Sequence, residues 1–508
     1  MVNKLPLVVF SVGIFISILP IAFIPRDVFF SGDGGVKWLL VDQFARGHVT
    51  PVLNLTVPAS IDDAWRFGLF PLQPPFVYSI ARGHIVSFPL LFEVLTTPFY
   101  LLFGYRGLYV LPVVGVWGTW LVVWRTLRQL DLDARQTALH LFLLVFCTNL
   151  TLFAAAFWEH SLAVFAACPA LAYLVVGRMR PQSAHAAGWT GFLLGLSFML
   201  RSELLLFAVM ASLYVLVHSS AYSHSRWFIL ATVSTLAAAL LSNLAIYGHA
   251  LGLHSEQVLS ETTGSRFNNC LHNAVDLWSR FLGFVPCAVP VIAVIVVAFL
   301  VNRRESRGST SAWASRGLAT VCFWFLLLLP AIVPNSGGKQ LGPRYLLVLT
   351  PAAILMAGDL WAHHVPRGGS ALRWARVLWV AAGVAGFALD SVYEGHRLIA
   401  DYRSRVSPAL EYVRTQPERV LCITNSVVAQ ELAALFPTKL FLLTESLDGF
   451  ARGARAAQSL GQTSAVVISA WEQPARWLPK DWKVQSEGSL GMMSFYRTSL
   501  AGLVLPTP

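Results

Sequence analysis

A succession of long apolar runs constrains this chain more than any other feature. The first run extends from Leu5 to Ile24 after Lys4 and has no small-x-small cleavage site. We interpret it as an uncleaved membrane anchor, and a signal peptide is the alternative. A helix needs about 20 apolar residues to cross a bilayer. Further runs of this kind occupy 107–126, 137–156, 160–177, 187–200, 203–218, 226–246, 284–302, 317–333, 345–362 and 374–391. The pattern predicts a polytopic α-helical membrane protein with about 11 transmembrane helices.

The composition supports this class. Only 12% of the residues are charged and the mean hydropathy is +0.61, whereas soluble domains carry about 25% charged residues. A soluble multidomain enzyme and a disordered or fibrous chain are therefore excluded. The net charge of +11 does not indicate a nucleic-acid partner, because most arginines lie in short loops between apolar runs, where they are a topology signal.

The run Phe88–Phe103 decides the orientation. It is short and contains Glu93 and Pro98, so we interpret it as an interfacial helix lying on the membrane. The loops that carry Arg125, Arg178 and Arg303 are then cytoplasmic by the positive-inside rule. The N-terminus is expected inside, with three extracytoplasmic regions at 25–106, 247–283 and 392–508, in a multi-pass membrane protein.

The first outer loop contains the first candidate catalytic residue. Asp33 lies between Gly32 and Gly34 directly after the anchor, and a helical stretch follows from Val36 to Ala45. Gly32, Gly34 and Gly35 permit unusual backbone conformations and clear space for a ligand beside the carboxylate. A glycine-rich turn with a solvated aspartate is the alternative interpretation.

The junction Trp158-Glu159-His160 is predicted on the same face as Asp33. Two ionisable groups at a membrane edge are candidates for function, so Glu159 is the second catalytic candidate, with Trp158 and His160 beside the substrate. Alternatively, Glu159 stabilises the start of the next helix and Trp158 anchors the interface.

Four cations are candidates for substrate binding. Arg201, in Arg201-Ser202-Glu203, divides two apolar runs and either pairs with Glu203 or holds an anion. Lys339 and Arg344 follow Gly337-Gly338 at the start of a predicted span, an arrangement suited to a phosphate, although snorkelling is the alternative for both. Arg66 lies in the part of the first loop that is rich in proline and aromatic residues, which is expected to pack on the membrane surface.

The tail predicts a small α/β domain at 396–508, after a membrane domain at 1–395. Strand-like and helical runs alternate in this tail. Strands are expected at 420–424, 440–443 and 465–469, helices at 426–436 and 450–460, and a closing hairpin at 483–487 and 492–497. No GxGxxG follows the first strand and no phosphate loop is present, so the domain is expected to be accessory.

Together these features resemble the GT-C superfamily of polytopic glycosyltransferases, and more narrowly the bacterial relatives of protein O-mannosyltransferases and aminoarabinose transferases. The resemblance rests on the features just described: Ser31-Gly32-Asp33-Gly34-Gly35 after the first helix, the long outer loop ending at Gly104, the acidic junction Trp158-Glu159-His160, Gly342-Pro343-Arg344-Tyr345, and the outer tail.

The resemblance implies sugar transfer, with inversion, from a polyprenyl-phosphate donor to a glycan, lipid or protein acceptor on the extracytoplasmic face. Asp33 would act as general base, and Arg344, with Arg201 or Lys339, would offset charge on the leaving lipid phosphate. Many members of the superfamily carry adjacent acidic residues where this chain has Asp33-Gly34. A divalent metal is therefore possible but not favoured, and no cofactor is assigned.

Two other classes stay open on the sequence. A transporter or lipid flippase would be expected to show inverted repeats and charges at mid-membrane, but no repeat is found, and Asp359 lies toward the cytoplasmic end of its run. A membrane scaffold whose tail binds a partner is the third possibility. If the protein is a glycosyltransferase, we expect Asp33, Glu159 and Arg344 to lie together at the extracytoplasmic edge of the bilayer.

Overall fold

The computed structural model describes residues 4–81, 83–253, 265–284, 314–333, 335, 341–363, 370–470 and 485–500. The protein is mostly helical. Its chain divides into two compact units. The first unit contains Met1–Ala22 and Tyr109–His396, and the second contains Phe23–Leu108 and Arg397–Pro508. The division into a membrane domain at 1–395 and a tail domain at 396–508 stays a prediction. The second unit contains residues of the first outer loop as well as the tail.

The helices follow the apolar runs closely. In chain order they are α1 (Leu5–Phe23), α2 (Gly32–Ala45), α3 (Ala59–Ala64), α4 (Leu91–Phe103), α5 (Val110–Gln129), α6 (Ala134–Phe146), α7 (His160–Val176), α8 (Ala184–Leu200), α9 (Leu204–Val217), α10 (Ser225–Tyr247), α11 (Arg266–Phe284), α12 (Arg316–Leu328), α13 (Leu349–His363), α14 (Ser370–Gly386), α15 (Gly395–Ala400), α16 (Ser407–Thr415), α17 (Ser426–Glu431) and α18 (Leu447–Ser459).

Several of these helices have the length and apolarity of membrane spans. Within the described ranges, four qualify by length and composition, namely Leu5–Phe23, Leu91–Gln129, Ser225–Tyr247 and Val377–Thr415, and a bent pair makes up to five. Five apolar helices are shorter: His160–Val176, Ala184–Leu200, Leu204–Val217, Arg316–Ala331 and Leu349–Ala362. The predicted run 284–302 lies outside the described residues, so the count of about 11 spans stays a prediction.

Within the first unit, α8 packs closely on α10 through small residues. A Cβ on Gly191 would overlap the main-chain carbonyl of Phe228, and one on Gly195 would lie 2.6 Å from the Cβ of Thr235. Glycines four residues apart share one helix face and let two backbones approach. This contact fixes α8, whose C-terminal end leads directly into Arg201.

The second unit contains all the described strands. An antiparallel hairpin joins β1 (Val77–Ile80) to β2 (Gly83–Val86). A five-stranded sheet has the order β4-β3-β5-β7-β6, in which β3 pairs parallel with β4 and β5, whereas β7 pairs antiparallel with β5 and β6. The remaining strands are β3 (Val420–Ile423), β4 (Leu440–Leu443), β5 (Ser464–Ala470), β6 (Gln485–Leu490) and β7 (Met493–Ser499).

Helix α4 corresponds to the run 88–103, for which an interfacial helix was predicted, and it forms part of the candidate span Leu91–Gln129. Its residues Phe92, Glu93 and Thr96 are buried, whereas Leu102 and Phe103 on its last turn are largely exposed. The helix ends at Gly104, whose φ of 58° suits glycine. The interfacial position of α4 stays a prediction.

Candidate functional site

A break in one predicted span positions the acidic junction. The run 137–156 was expected to form one helix, but α6 ends at Phe146 and a 3₁₀ segment, Asn149–Ala155, continues at an angle of 53°. The expectation of a continuous helix was therefore wrong. Backbone that leaves the helix at membrane depth is tolerated only where it is buried in protein, and every residue from 149 to 159 is buried here.

Hydroxyl groups satisfy the carbonyls that this break releases. The last carbonyls of a helix have no intrahelical donor. Thr148 Oγ1 donates to the carbonyl of Leu144 (2.7 Å), and Thr151 Oγ1 donates to that of Val145. Ser391, from the segment after α14, donates to the carbonyl of Phe146. The non-helical segment that leads to Trp158 and Glu159 is therefore stable in an apolar environment.

Glu159 and Arg201 form the centre of a buried ion-pair network. Arg201 Nη1 lies 3.0 Å from Glu159 Oε1, and Arg201 Nε lies 2.9 Å from Glu203 Oε1. Arg201 is only 11% exposed, and the two carboxylates are less exposed still. Of the two roles considered for Arg201, the structure shows pairing with Glu203, and it adds Glu159 as a second partner that the sequence did not reveal.

The charge on Arg201 is strongly fixed. Burial by itself lowers the pKa of Arg201, but the carboxylates of Glu203 and Glu159 and the phenol of Tyr345 outweigh burial and raise the pKa above its usual range. Removal of one partner from a buried ion pair leaves an uncompensated buried charge and destabilises the fold. The network therefore supplies a permanent, oriented cation at the junction between α8 and α9.

Arg344 lies close to two aromatic rings, one of which is also close to Arg201. Its guanidinium carbon is 5.6 Å from the ring centre of Trp158 and 5.4 Å from that of Tyr345, and Arg201 is also 5.4 Å from the Tyr345 ring. Cations are attracted to aromatic faces at about 6 Å or less. The ring of Tyr345 is thus in contact distance of both arginines. Tyr345 was not singled out from the sequence as a site residue.

The turn that carries Arg344 is fixed by Gly342 and Asn149. Gly342 has a φ of +95°, which favours glycine, and a Cβ on it would overlap the Asn149 amide. Asn149 Nδ2 donates to the carbonyl of Leu341 at 2.7 Å. The break after α6 and the loop before Arg344 are therefore joined directly.

One carboxylate oxygen in the network has no hydrogen-bond partner. Among the described residues, Glu203 Oε2 is buried and accepts no hydrogen bond, while Oε1 is held by Arg201. A buried acceptor without a donor costs free energy of about 1–3 kcal/mol. A ligand hydroxyl or amine would relieve that cost, so Glu203 is a site residue that the sequence named only as a partner for Arg201.

Asp33 lies in the second unit, within the first turn of α2. That helix begins at Gly32, four residues earlier than expected, and Asp33 is half-buried. The prediction that Asp33 meets Glu159 and Arg344 stays a prediction, because the latter two belong to the first unit.

The glycines beside Asp33 make room for protein rather than for a ligand. A Cβ on Gly35 would overlap the main-chain carbonyl of Gln430, and one on Gly32 would overlap the Gln430 side chain. The first turn of α2 therefore packs directly on α17. The expectation that Gly32 and Gly35 clear space for a ligand was wrong, because α17 occupies that space.

Lys37 is a buried cation one helical turn after Asp33. It is 2% exposed, and its Nζ lies 4.5 Å from the ring centre of Phe88. Residues four apart lie on one helix face. The spacing Asp33-x-x-x-Lys37 was the signal that could have identified this lysine from the sequence.

The remaining predicted residues have different surroundings. His160 is buried, with its ring centre 5.1 Å from that of Trp158. Arg66 is 74% exposed and pairs with Asp62 at 2.7 Å, four residues earlier, which is the geometry of a surface ion pair. Lys339 lies outside the described residues. Within the described ranges, no group of three or more His, Cys, Asp or Glu side chains is arranged to hold a metal ion.

The fold has clear counterparts among solved structures. ArnT from Cupriavidus metallidurans bound to undecaprenyl phosphate superimposes with a TM-score of 0.57 at 13% identity, covering 99% of both chains. The apo state of ArnT from the same organism gives a TM-score of 0.56 at 13% identity, covering 99% of this chain and 98% of that one. No protein-family profile and no curated protein sequence matches the chain. The chain therefore has the fold of these ArnT structures.

Proposed function

We propose that this protein transfers a sugar from a polyprenyl-phosphate-linked donor to an acceptor at the extracytoplasmic face of the membrane, with inversion at the anomeric carbon. One observation carries the proposal: on an ArnT-like fold, two partly buried arginines lie close to Tyr345 and beside two buried carboxylates, at a break in a predicted membrane span. ArnT, which has the same fold, was crystallised with undecaprenyl phosphate.

Arg344 is the residue best suited to the lipid phosphate. Arg344 lies against the faces of Trp158 and Tyr345. An aromatic face holds a guanidinium in place without neutralising its charge, and guanidinium groups bind phosphate in bidentate fashion. Arg344 would therefore neutralise the phosphate as it leaves, with Lys339 as a possible second cation.

Glu203 is suited to recognition of the sugar. Its Oε2 is a buried acceptor without a donor among the described residues. A hydroxyl or amine of the sugar would supply that donor. Glu159 is tied to Arg201, so we assign it to orientation of that arginine within the site rather than to proton transfer.

Asp33 is proposed as the general base. Its carboxylate would take the proton from an acceptor hydroxyl while that oxygen attacks the anomeric carbon. The bond between the anomeric carbon and the phosphate oxygen breaks, and the polyprenyl phosphate leaves with the electron pair. General-base assistance of this kind typically increases the reaction rate by a factor of about 10²–10⁴.

The proposal is tested by comparing lipid-linked sugars and cell-envelope glycans by mass spectrometry. A deletion strain should accumulate a polyprenyl-phosphate sugar and lose one glycan modification. A plasmid copy of the wild-type gene should reverse both changes, whereas Asp33→Asn and Asp33→Ala copies should not. Asp63→Asn is the matched control, because Asp63 is an exposed carboxylate in the same loop.

Membrane levels of all variants are compared by immunoblot, so that loss of protein is separated from loss of activity. Full complementation by both Asp33 variants would refute the assignment of the base. An unchanged set of lipid-linked sugars and glycans in the deletion strain would refute the proposed reaction itself. Substrate flux in reconstituted vesicles without sugar transfer would identify a transporter or flippase instead.

A further inference from the structure

Helix α11 has three distinct faces. Leu277, Phe281 and Asn273 are buried against the rest of the first unit. A second face carries the polar side chains of His272, Asp276 and Ser279, of which Asp276 pairs with Arg280 at 2.9 Å. The third face is apolar and exposed, and we call it the α11 stripe: Phe267, Leu271, Val275 and Leu282.

The α11 stripe is continuous and strongly exposed. At 3.6 residues per turn, its four side chains fall within about 80° of arc. Their exposed fractions are 74% for Phe267, 56% for Leu271, 60% for Val275 and 37% for Leu282. Scattered exposed apolar residues are ordinary, but a contiguous apolar face beside a polar one marks a surface that contacts something other than water.

The helix is fixed at the predicted outer end of a membrane span. Asn273 Nδ2 donates to the carbonyl of Val333 at 3.2 Å, and Trp278 Nε1 donates to that of Leu326 at 3.3 Å. The chain from Leu326 to Val333 completes the span predicted at 317–333. Two apolar residues of this segment, Leu327 and Ile332, are exposed. The α11 stripe therefore continues the lipid-facing surface expected for that span.

We infer that α11 is inserted into the outer leaflet of the membrane, with the α11 stripe against lipid acyl chains and the His272–Asp276–Ser279 face toward water or headgroups. An exposed apolar stripe beside a polar face is the pattern of helices that bind at the membrane interface. A bilayer accounts for the stripe better than a protein partner does, because the stripe extends an expected lipid-facing surface. This inference is independent of the proposed sugar transfer.

Fluorescence quenching in lipid nanodiscs tests the inference. A genetically encoded, environment-sensitive fluorescent amino acid is placed at Leu271, at Val275 or, as the matched control on the polar face, at Ser279. The full chain is reconstituted in nanodiscs of phosphatidylethanolamine and phosphatidylglycerol, with or without spin-labelled acyl chains. Residues 271 and 275 should emit at shorter wavelength and be quenched by the spin-labelled lipid, whereas residue 279 should be quenched by iodide in the buffer.

Labelled proteins are first compared with wild type by gel filtration and thermal unfolding, and two stripe positions are used so that one poorly folded variant does not decide the result. Quenching of residues 271 and 275 by iodide rather than by lipid, in nanodiscs that hold a single copy, would overturn the inference. Protection of those residues only in nanodiscs that hold two copies would identify the stripe as a dimer contact and would also overturn it.

Discussion

Gly35 of α2 lies directly against the main-chain carbonyl of Gln430, so that no side chain fits between them. Gln430 belongs to α17 in the tail of the chain, almost 400 residues away, and both residues lie in the second unit. The turn that carries Asp33 is thus fixed by a backbone contact rather than by a flexible glycine loop. Interiors packed at this density do not tolerate even one added methyl group without rearrangement.

Gly35→Ala should destabilise the protein by about 1–3 kcal/mol, because the new methyl group would overlap the Gln430 carbonyl. It should also lower activity, because Asp33 lies on the same turn. The measurement is the thermal unfolding midpoint of the purified protein in detergent, together with the complementation assay. Gly188→Ala is the matched control, since a Cβ there meets nothing within 4 Å. An unchanged midpoint for Gly35→Ala would show that α17 moves away easily.

Arg201→Gln should be strongly destabilising, because it leaves Glu159 and Glu203 buried without their cation. Removal of one partner from a buried ion pair costs about 3–5 kcal/mol. Arg180→Gln is the control: Arg180 pairs with Asp131 at 3.1 Å, but both side chains are about half exposed or more, and exposed pairs contribute about 0–1 kcal/mol. Denaturant or thermal unfolding should separate the two variants clearly, and equal small losses would contradict a structural role for the network.

Glu203→Gln should weaken binding of the sugar donor while leaving the fold intact. The amide oxygen can still accept from Arg201, but the amide nitrogen replaces the free acceptor Oε2 with a donor. We expect a raised KM for the donor and a smaller effect on kcat, measured by sugar transfer in membranes. Glu411→Gln, at an exposed glutamate paired with Arg414, is the control. A KM equal to that of wild type would exclude Glu203 from donor recognition.

The stability of the second unit should decline as the pH falls below about 6.5, the ordinary pKa of histidine. Burial lowers the pKa of His84, partly offset by the carboxylate of Asp62. The unfolded chain therefore takes up a proton at higher pH than the folded chain, so acidification favours unfolding through this residue. The ring of His84 is stacked on Phe70 at 3.4 Å, and neutral His84 Nδ1 contacts Ser79 Oγ at 3.0 Å.

His84→Phe isolates this contribution, because it retains an aromatic ring on Phe70 but removes the titration. Thermal midpoints are measured between pH 7.5 and 5.5 for both proteins. The slope of midpoint against pH should be smaller for the variant than for wild type. Identical slopes would show that another group determines the acid sensitivity.

The sequence predicted helices well where apolar runs are long, because burial in lipid or protein leaves few alternatives to a helix. It did not predict the break at Cys147, since Thr148, Asn149 and Thr151 are too few polar residues to interrupt a hydropathy average. Their clustering was nevertheless a local signal. Polar side chains so close together within a span form hydrogen bonds with backbone groups, which compete with the hydrogen bonds of the helix.

The site was predictable residue by residue but not as a network. Arg201 and Glu203 are neighbours in sequence, so their pairing was anticipated. The third member, Glu159, is 42 residues earlier, and only the packing of α7 beside α8 brings it to Arg201. The contact between α2 and α17 was likewise invisible, because no local pattern links a glycine in the first loop to a glutamine in the tail.

The hydrogen bond from Ser391 to Phe146 has a consequence for biosynthesis. Membrane proteins are made from the N-terminus, so α6 and the segment that follows it are synthesised well before residue 391. Until that serine arrives, the carbonyl of Phe146 lacks the donor that it has in the finished protein. The acidic junction therefore reaches its final geometry only after the segment that contains Ser391 has joined the bundle.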